Sequence, residues 1–112
     1  HGYPTGDHVL KVFAAEALAA IREADVLARW GGEEFMLMLP DAGLTAARLG
    51  LERLRTRVEG LRVVHEGREL AFTVSAGLVE VSPDETLVEA IARADRALYQ
   101  AKQQGRNKVV AG

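Results

Sequence analysis

The residues best suited to chemistry stand together at Arg29-Trp30-Gly31-Gly32-Glu33-Glu34-Phe35, where two adjacent carboxylates follow a glycine pair. Asp25-Val26-Leu27-Ala28 runs before this stretch and Met36-Leu37-Met38-Leu39-Pro40 after it. Apolar, strand-length runs around a Gly-Gly pair predict a tight β-hairpin, because hairpin turns need positive φ and glycine adopts it at little steric cost. Successive strand residues face opposite ways, so Glu33 and Glu34 project together only if the turn is irregular. A carboxylate at a hairpin tip is a hard oxygen donor, suited to Mg2+. Acidic residues of a merely solvated turn read the same way, and the hairpin alone leaves both readings open.

Other candidates lie near the ends of expected helices. Asp7 stands at the start of one, where a carboxylate caps free N–H groups and meets the positive end of the helix dipole. Lys102 stands in the last turn of another and Arg106 just beyond it, where cations offset the negative end. Arg22-x-x-Asp25, ahead of the hairpin, is by itself a surface ion pair. His1, His8 and His65 show no metal-ligand spacing and read as incidental.

These residues need elements to carry them. Residues 1–7 read as a loop punctuated by Gly and Pro. From Asp7 to about Arg22, the set Val9, Leu10, Phe13, Ala14, Ala17, Leu18 and Ile21 recurs at helical spacing. A second helix is expected from Thr45, its N-cap, to about Glu59, with Ala47, Leu51, Leu54 and Val58 inward and Gly60 as its stop. Leu61–Val64 and Leu70–Val81 read as strands around a Glu66-Gly67-Arg68 turn. The near-continuous apolar run Phe72–Val79 suits a central strand, with Gly77 at a bulge or a close approach to the backbone. Thr86 and Glu89 form a capping box for a third helix to about Gln104, with Leu87, Ile91, Ala94, Leu98 and Ala101 inward. Residues 107–111 make a last short strand. The order is α-ββ-α-β(β)-α-β, an α+β fold with helices packed on an antiparallel-rich sheet.

The 112 residues suffice for one domain with one core. A formal charge of −2 argues against general affinity for nucleic acid. No run approaches the ~20 apolar residues of a membrane span, and no secretory leader is visible. The absence of cysteine excludes disulfides and Cys metal sites and agrees with a reducing, cytoplasmic setting.

Four segments, in order, resemble the GGDEF family of diguanylate cyclase domains. Gly31-Gly32-Glu33-Glu34-Phe35 is an accepted form of its signature, and Gly2-x-x-x-Gly6-Asp7-x-x-Leu10 is similar to its G-H-x-x-G-D-x-x-L segment. Phe72-Thr73-Val74-Ser75-Ala76-Gly77 resembles its Ser-x-Gly strand. Ala94-Asp95-Arg96-Ala97-Leu98-Tyr99-Gln100-Ala101-Lys102-x-x-Gly105-Arg106-Asn107 resembles its A-D-x-A-L-Y-x-A-K-x-x-G-R-N. The resemblance implies a fold like the palm of adenylyl cyclases and polymerases. It implies condensation of two GTP into cyclic di-GMP and two pyrophosphates at the interface of a homodimer, with Mg2+ or Mn2+. Carried over by position, Glu33 is the metal ligand and base and Glu34 a second acidic group of the site. Asp7 reads the guanine edge, and Lys102 and Arg106 hold phosphates. Arg22 and Asp25, with Arg53 as a supplementary arginine, form an inhibitory product site. An upstream sensory or receiver domain is implied as the input.

Tyr3 stands where the family pattern has His, and the family's first strand, with a metal-binding Asp, and its short helix, with a guanine-binding Asn, fall outside these 112 residues. The expectation is therefore a GGDEF domain incomplete at its N-terminus, inactive on its own and active in a complete protein. The competing reading is a module that has lost catalysis and binds cyclic di-GMP or GTP as a sensor. A purely structural dimerisation domain fits the clustered acidic and basic residues poorly.

Overall fold

The computed structural model describes residues 3–112, with side chains from Gly6 onward. His1 and Gly2, and with Gly2 the first position of the Gly2-x-x-x-Gly6-Asp7 pattern, lie outside the described residues. The elements are α1 (Tyr3–Ala20), β1 (Val26–Gly31), β2 (Glu34–Met38), α2 (Leu44–Glu59), β3 (Val63–His65), β4 (Arg68–Leu70), β5 (Ala76–Leu78), α3 (Leu87–Gln103) and β6 (Val109–Ala111). The expected alternation of helices with strands holds, and so does the α+β class.

The helices start and stop for local reasons. Residues 3–6, expected as loop, are the first turn of α1. Proline is tolerated there because a first-turn N–H has no intrahelical partner to lose. Asp7 is therefore the fifth residue of the helix and not its cap. Gly43, not Thr45, is the N-cap of α2 and makes no side-chain capping bond. Gly60 ends α2 as expected. The capping box of α3 forms as the sequence predicts: the Glu89 N–H donates to Thr86 Oγ1 at 3.1 Å, and the Thr86 N–H donates to Glu89 Oε1 at 2.9 Å.

Among the described residues the strands form three two-stranded ladders. β1–β2 and β3–β4 are antiparallel, whereas β5–β6 is parallel, with Ala76 beside Val109. The β3–β4 turn has two central residues, Glu66 and Gly67, both at positive φ (53° and 76°), the backbone of a type I′ turn. Arg68 already pairs with His65 and is not part of the turn. The long strand expected over Leu70–Val81 is divided, because residues 71–75 find no ladder partner among the described residues. Phe72 and Val74 instead pack against Ala17, Leu54 and Val58.

That first cluster also takes in Phe13 and Leu27 and joins α1, α2 and the hairpin. A second joins Ala47, Leu78 and Val109, with Leu39, Leu51 and Ala76 around them. On α3 the buried positions are Ala90, Ala97 and Ala101, while Leu87 in its first turn, expected inward, is 54% exposed. Small residues are needed on this helix because its backbone lies directly on β5. A Cβ at Gly77 would fall 2.2 Å from the Ala94 carbonyl oxygen and 2.4 Å from the Leu98 nitrogen. The close approach expected at Gly77 is thus made by α3. Arg93 of α3 holds the preceding loop, donating to Glu85 Oε2 and Oε1 at 2.6 and 2.7 Å and to the Glu80 carbonyl at 2.7 Å. This bonding drives the Glu85 carboxyl down to about 2. His8 and His65, read as incidental, stack on each other with ring centroids 4.7 Å apart and tie α1 to β3.

Candidate functional site

The hairpin turn sits one residue later than the glycine pair suggests. Gly31 pairs with Glu34 as the end of the β1–β2 ladder, so Gly32 and Glu33 are the two central residues. Gly32 has φ 50° and Glu33 has no positive φ, the φ pattern of a type II′ turn with glycine at its first central position. The register shifts between Arg29 and Gly31, leaving Trp30 as the extra residue of a β-bulge. Bulges twist a ladder locally and re-aim side chains. Arg29 straps the turn, donating from Nε and Nη2 to the Gly32 carbonyl at 3.0 and 2.7 Å. No local motif marks Arg29 for this task; the only signal in the sequence is its position three residues before the second glycine. Glu33 and Glu34 are both exposed, one in the turn and one on the strand.

Packing fixes this hairpin against the helix that carries Asp7. The Phe13 ring of α1 meets the Phe35 ring of β2, with centroids 5.0 Å apart and planes tilted by 55°. Phe35 follows Glu34 directly, so the carboxylates and α1 are held by one aromatic contact. Asp7 is exposed on α1, six residues before Phe13.

Lys102 lies half-buried in the last turn of α3, and Arg106 is exposed just after it. Between them the helix closes as a Schellman motif: Gly105 is at φ 107°, and the Arg106 N–H donates to the Ala101 carbonyl at 2.9 Å. The two cations are therefore presented from one helix end. Among the described residues neither takes part in an ion pair.

Arg22 and Asp25 are brought together as a fork. Arg22 donates from Nε and Nη2 to Asp25 Oδ1 at 3.1 and 2.7 Å, and its N–H meets Oδ2 at 2.8 Å. Nη2 also reaches the Pro40 carbonyl at 2.7 Å, joining the turn after α1 to the far end of the hairpin. The Asp25 side chain is only 3% exposed. Its hydrogen bonds from Arg22 hold the carboxyl below its ordinary value, and the same bonds raise the Arg22 guanidinium. Arg53 is exposed on α2 beside a shallow groove shared with Glu52, Thr56 and Arg57.

No group of three or more His, Asp or Glu able to hold a metal gathers among the described residues. Glu33 and Glu34 nevertheless fit a hard cation by donor type, since Mg2+ commonly takes one or two protein carboxylates and completes its shell with water and substrate phosphate. Among the described residues no helix is long and apolar enough to cross a membrane.

The chain resembles known proteins over nearly its whole length. Residues 1–108 match the family described as diguanylate cyclase, GGDEF domain. The chain is 42% identical over 108 residues to diguanylate cyclase DgcP of Pseudomonas aeruginosa, covering 96% of this chain and 16% of that protein. It is 39% identical over 110 residues to diguanylate cyclase A of Treponema denticola, covering 97% of this chain and 30% of that protein. The chain thus spans less than a third of the length of these relatives. Its fold superposes on diguanylate cyclase SiaD of Pseudomonas aeruginosa, solved with its activator SiaC, at a TM-score of 0.94 and 41% identity, covering 99% of this chain and 43% of that one. The coiled coil and GGDEF domain of DgcB from Caulobacter crescentus, solved with c-di-GMP, gives 0.93 at 32% identity, covering 99% and 60%. An active GGEEF domain of a diguanylate cyclase from Vibrio cholerae gives 0.85 at 28% identity, covering 98% and 70%. With sequence and fold agreeing over nearly its whole length, the chain belongs to the GGDEF family of diguanylate cyclase domains.

Proposed function

We propose that these residues form a single GGDEF domain that, in its complete protein, condenses two GTP into cyclic di-GMP and two pyrophosphates. The observation that carries this reading is the exposed Glu33 turn, set by a bulge and strapped by Arg29, on a hairpin packed through Phe35 against the helix of Asp7. An acidic pair of the same spelling occurs in the Vibrio cholerae domain described as active.

Each residue has a defined task in the reaction. Asp7 accepts hydrogen bonds from guanine N1–H and the 2-amino group, which adenine cannot supply in that pattern. Lys102 and Arg106 bind the triphosphate as cations and orient the α-phosphorus. Glu33 accepts the proton of the incoming 3′-hydroxyl as the new O–P bond forms and the bond to pyrophosphate breaks. Glu33, with Glu34 next to it in sequence, would hold Mg2+ or Mn2+, which would supply positive charge to the reacting phosphate. One domain holds one GTP, so ring closure requires a homodimer with the two sites facing each other. Arg22, Asp25 and Arg53 bind cyclic di-GMP as an inhibitory product; the DgcB structure shows that a related domain binds this molecule. The setting is cytoplasmic, with a sensory or receiver domain as input. Control of SiaD by its activator supports this dependence on a partner.

The full protein incubated with GTP and Mg2+ is expected to yield cyclic di-GMP and pyrophosphate in a one-to-two ratio. Glu33→Gln is expected to lower kcat about a hundredfold or more, the usual contribution of a positioned base. Cyclic di-GMP binding with no turnover of GTP would establish the alternative, a sensor module without catalysis.

A further inference from the structure

The turn that presents Arg106 is held in a costly backbone conformation by a residue with no assigned role. Gly105, Arg106 and Asn107 all have positive φ, at 107°, 65° and 50°. Glycine adopts this conformation freely and asparagine tolerates it, but arginine does not favour it. Something must hold Arg106 there, and every hydrogen-bonding group of Asn107 is engaged in doing so. Its N–H donates to Ser75 Oγ at 3.0 Å. Its carbonyl and its side-chain Oδ1 both accept from Arg55 Nη1, at 3.5 and 3.1 Å. Its Nδ2 donates to Glu59 Oε2.

The grip extends into α2. Arg55 is 19% exposed and is itself braced by Glu52 Oε2 at 3.3 Å, with Glu59 Oε1 3.9 Å from its Nη1. One residue further on, the Lys108 carbonyl accepts from the Ala76 N–H at 3.0 Å as the β5–β6 ladder begins. Arg106 thus stands between a helix end and a ladder, with Asn107 pinned from α2 on one side and from Ser75 on the other.

We propose that Asn107, clamped by Arg55 and Glu59 of α2 and by Ser75, is the positioning residue that sets where the Arg106 guanidinium meets the phosphates of a nucleoside triphosphate. This rests on the reading of Arg106 as a phosphate-binding residue. Arg55 acts through Asn107, so affinity for the triphosphate depends on α2 although α2 contributes no phosphate ligand.

The test uses the full protein and compares GTP with guanosine, which keeps the base and ribose but offers Arg106 no phosphate. Asn107→Gly is the informative variant, because glycine accepts φ 50° and removes only the side-chain bonds. It is expected to raise the dissociation constant for Mg2+–GTP about tenfold, the scale of one misplaced charge-assisted hydrogen bond. Guanosine binding, measured by ligand-detected NMR, is expected to stay within a factor of about two. Arg55→Lys, which keeps the charge but loses the planar guanidinium that reaches Asn107 from Nη1 and Glu52 from Nη2, is expected to act in the same direction and guards against a folding defect in the first variant. The effects of Asn107→Gly and Arg106→Ala should be strongly non-additive, since one residue acts through the other. Unchanged GTP affinity in Asn107→Gly, with affinity lost in Arg106→Ala, overturns the positioning role and leaves the phosphate reading intact. Equal loss of GTP and guanosine overturns it in favour of a structural role. Unchanged GTP affinity in Arg106→Ala removes the phosphate reading itself, and the positioning role with it.

Discussion

Arg22 looks already spent, since Asp25 and the Pro40 carbonyl occupy it. Not all of its donors are engaged. A guanidinium has five N–H groups in a planar fork. Nε and Nη2 make all of the side-chain bonds recorded among the described residues, and Nη1 makes none of them. The side chain is 54% exposed while that of Asp25 is 3% exposed. Asp25 and Pro40 therefore take the donors of Nε and Nη2 and hold the side chain in place, leaving the two N–H groups of Nη1 for a guanine or phosphate oxygen at little further loss of side-chain entropy. Arg22→Ala is expected to weaken cyclic di-GMP binding in calorimetry about tenfold to a hundredfold, as for loss of a charge-assisted bond. Asp25→Ala is expected to weaken it less, because the fork is kept but not aimed. Equal binding by wild type and Arg22→Ala would sink the product-site assignment. The sequence offered this pair only as a spacing. The burial of Asp25 and the carbonyl of Pro40, 18 residues from Arg22, decide its orientation and are tertiary facts.

At the scale of elements, two glycines make opposite predictions. Gly50 lies within α2 with open space where a Cβ would stand. Gly50→Ala is expected to raise stability by about 0.5–1 kcal/mol through helix propensity alone. Gly77 has the Ala94 and Leu98 backbone within 2.4 Å of its would-be Cβ. Backbone cannot swing aside as a side chain does, so Gly77→Ala must push α3 off β5. The expected cost is about 3 kcal/mol or more, the upper range for overpacking. Chemical denaturation of the two variants checks both, and a Gly77→Ala protein as stable as wild type would refute the contact. Here the sequence was legible where the rule is local. The capping box at Thr86 and Glu89 and the stop at Gly60 formed as read. It was illegible where competition decides. Thr45 is as good a cap as Gly43 until the chain path is known, and Phe72–Ser75 has strand composition but no ladder partner among the described residues. The glycine pair located the hairpin but not its centre, because the bulge at Trp30 moved the turn by one residue. The Arg55–Asn107 contact spans 52 positions of sequence and had no local signature.

At the scale of the molecule, the proposed product constrains the assembly. Cyclic di-GMP is built by two equivalent bond-forming steps, and the chain carries no internal repeat that would offer a second Glu33. Two equivalent steps from one asymmetric site call for a second copy related by a two-fold axis, the commonest symmetry of soluble oligomers. Each copy then supplies the base for one bond. Mixing wild-type protein with Glu33→Gln produces three kinds of dimer, and only the wild-type pair closes the ring. Cyclic di-GMP formation is accordingly expected to fall as the square of the wild-type fraction, to about one quarter in an equal mixture at fixed total concentration. Pyrophosphate release should fall less steeply, because a mixed dimer still forms one bond and stops at the linear dinucleotide. The two products measured on the same samples separate the cases. A linear fall of cyclic di-GMP with wild-type fraction would mean that each chain closes the ring without a partner's Glu33, and the two-fold assembly would have to be abandoned.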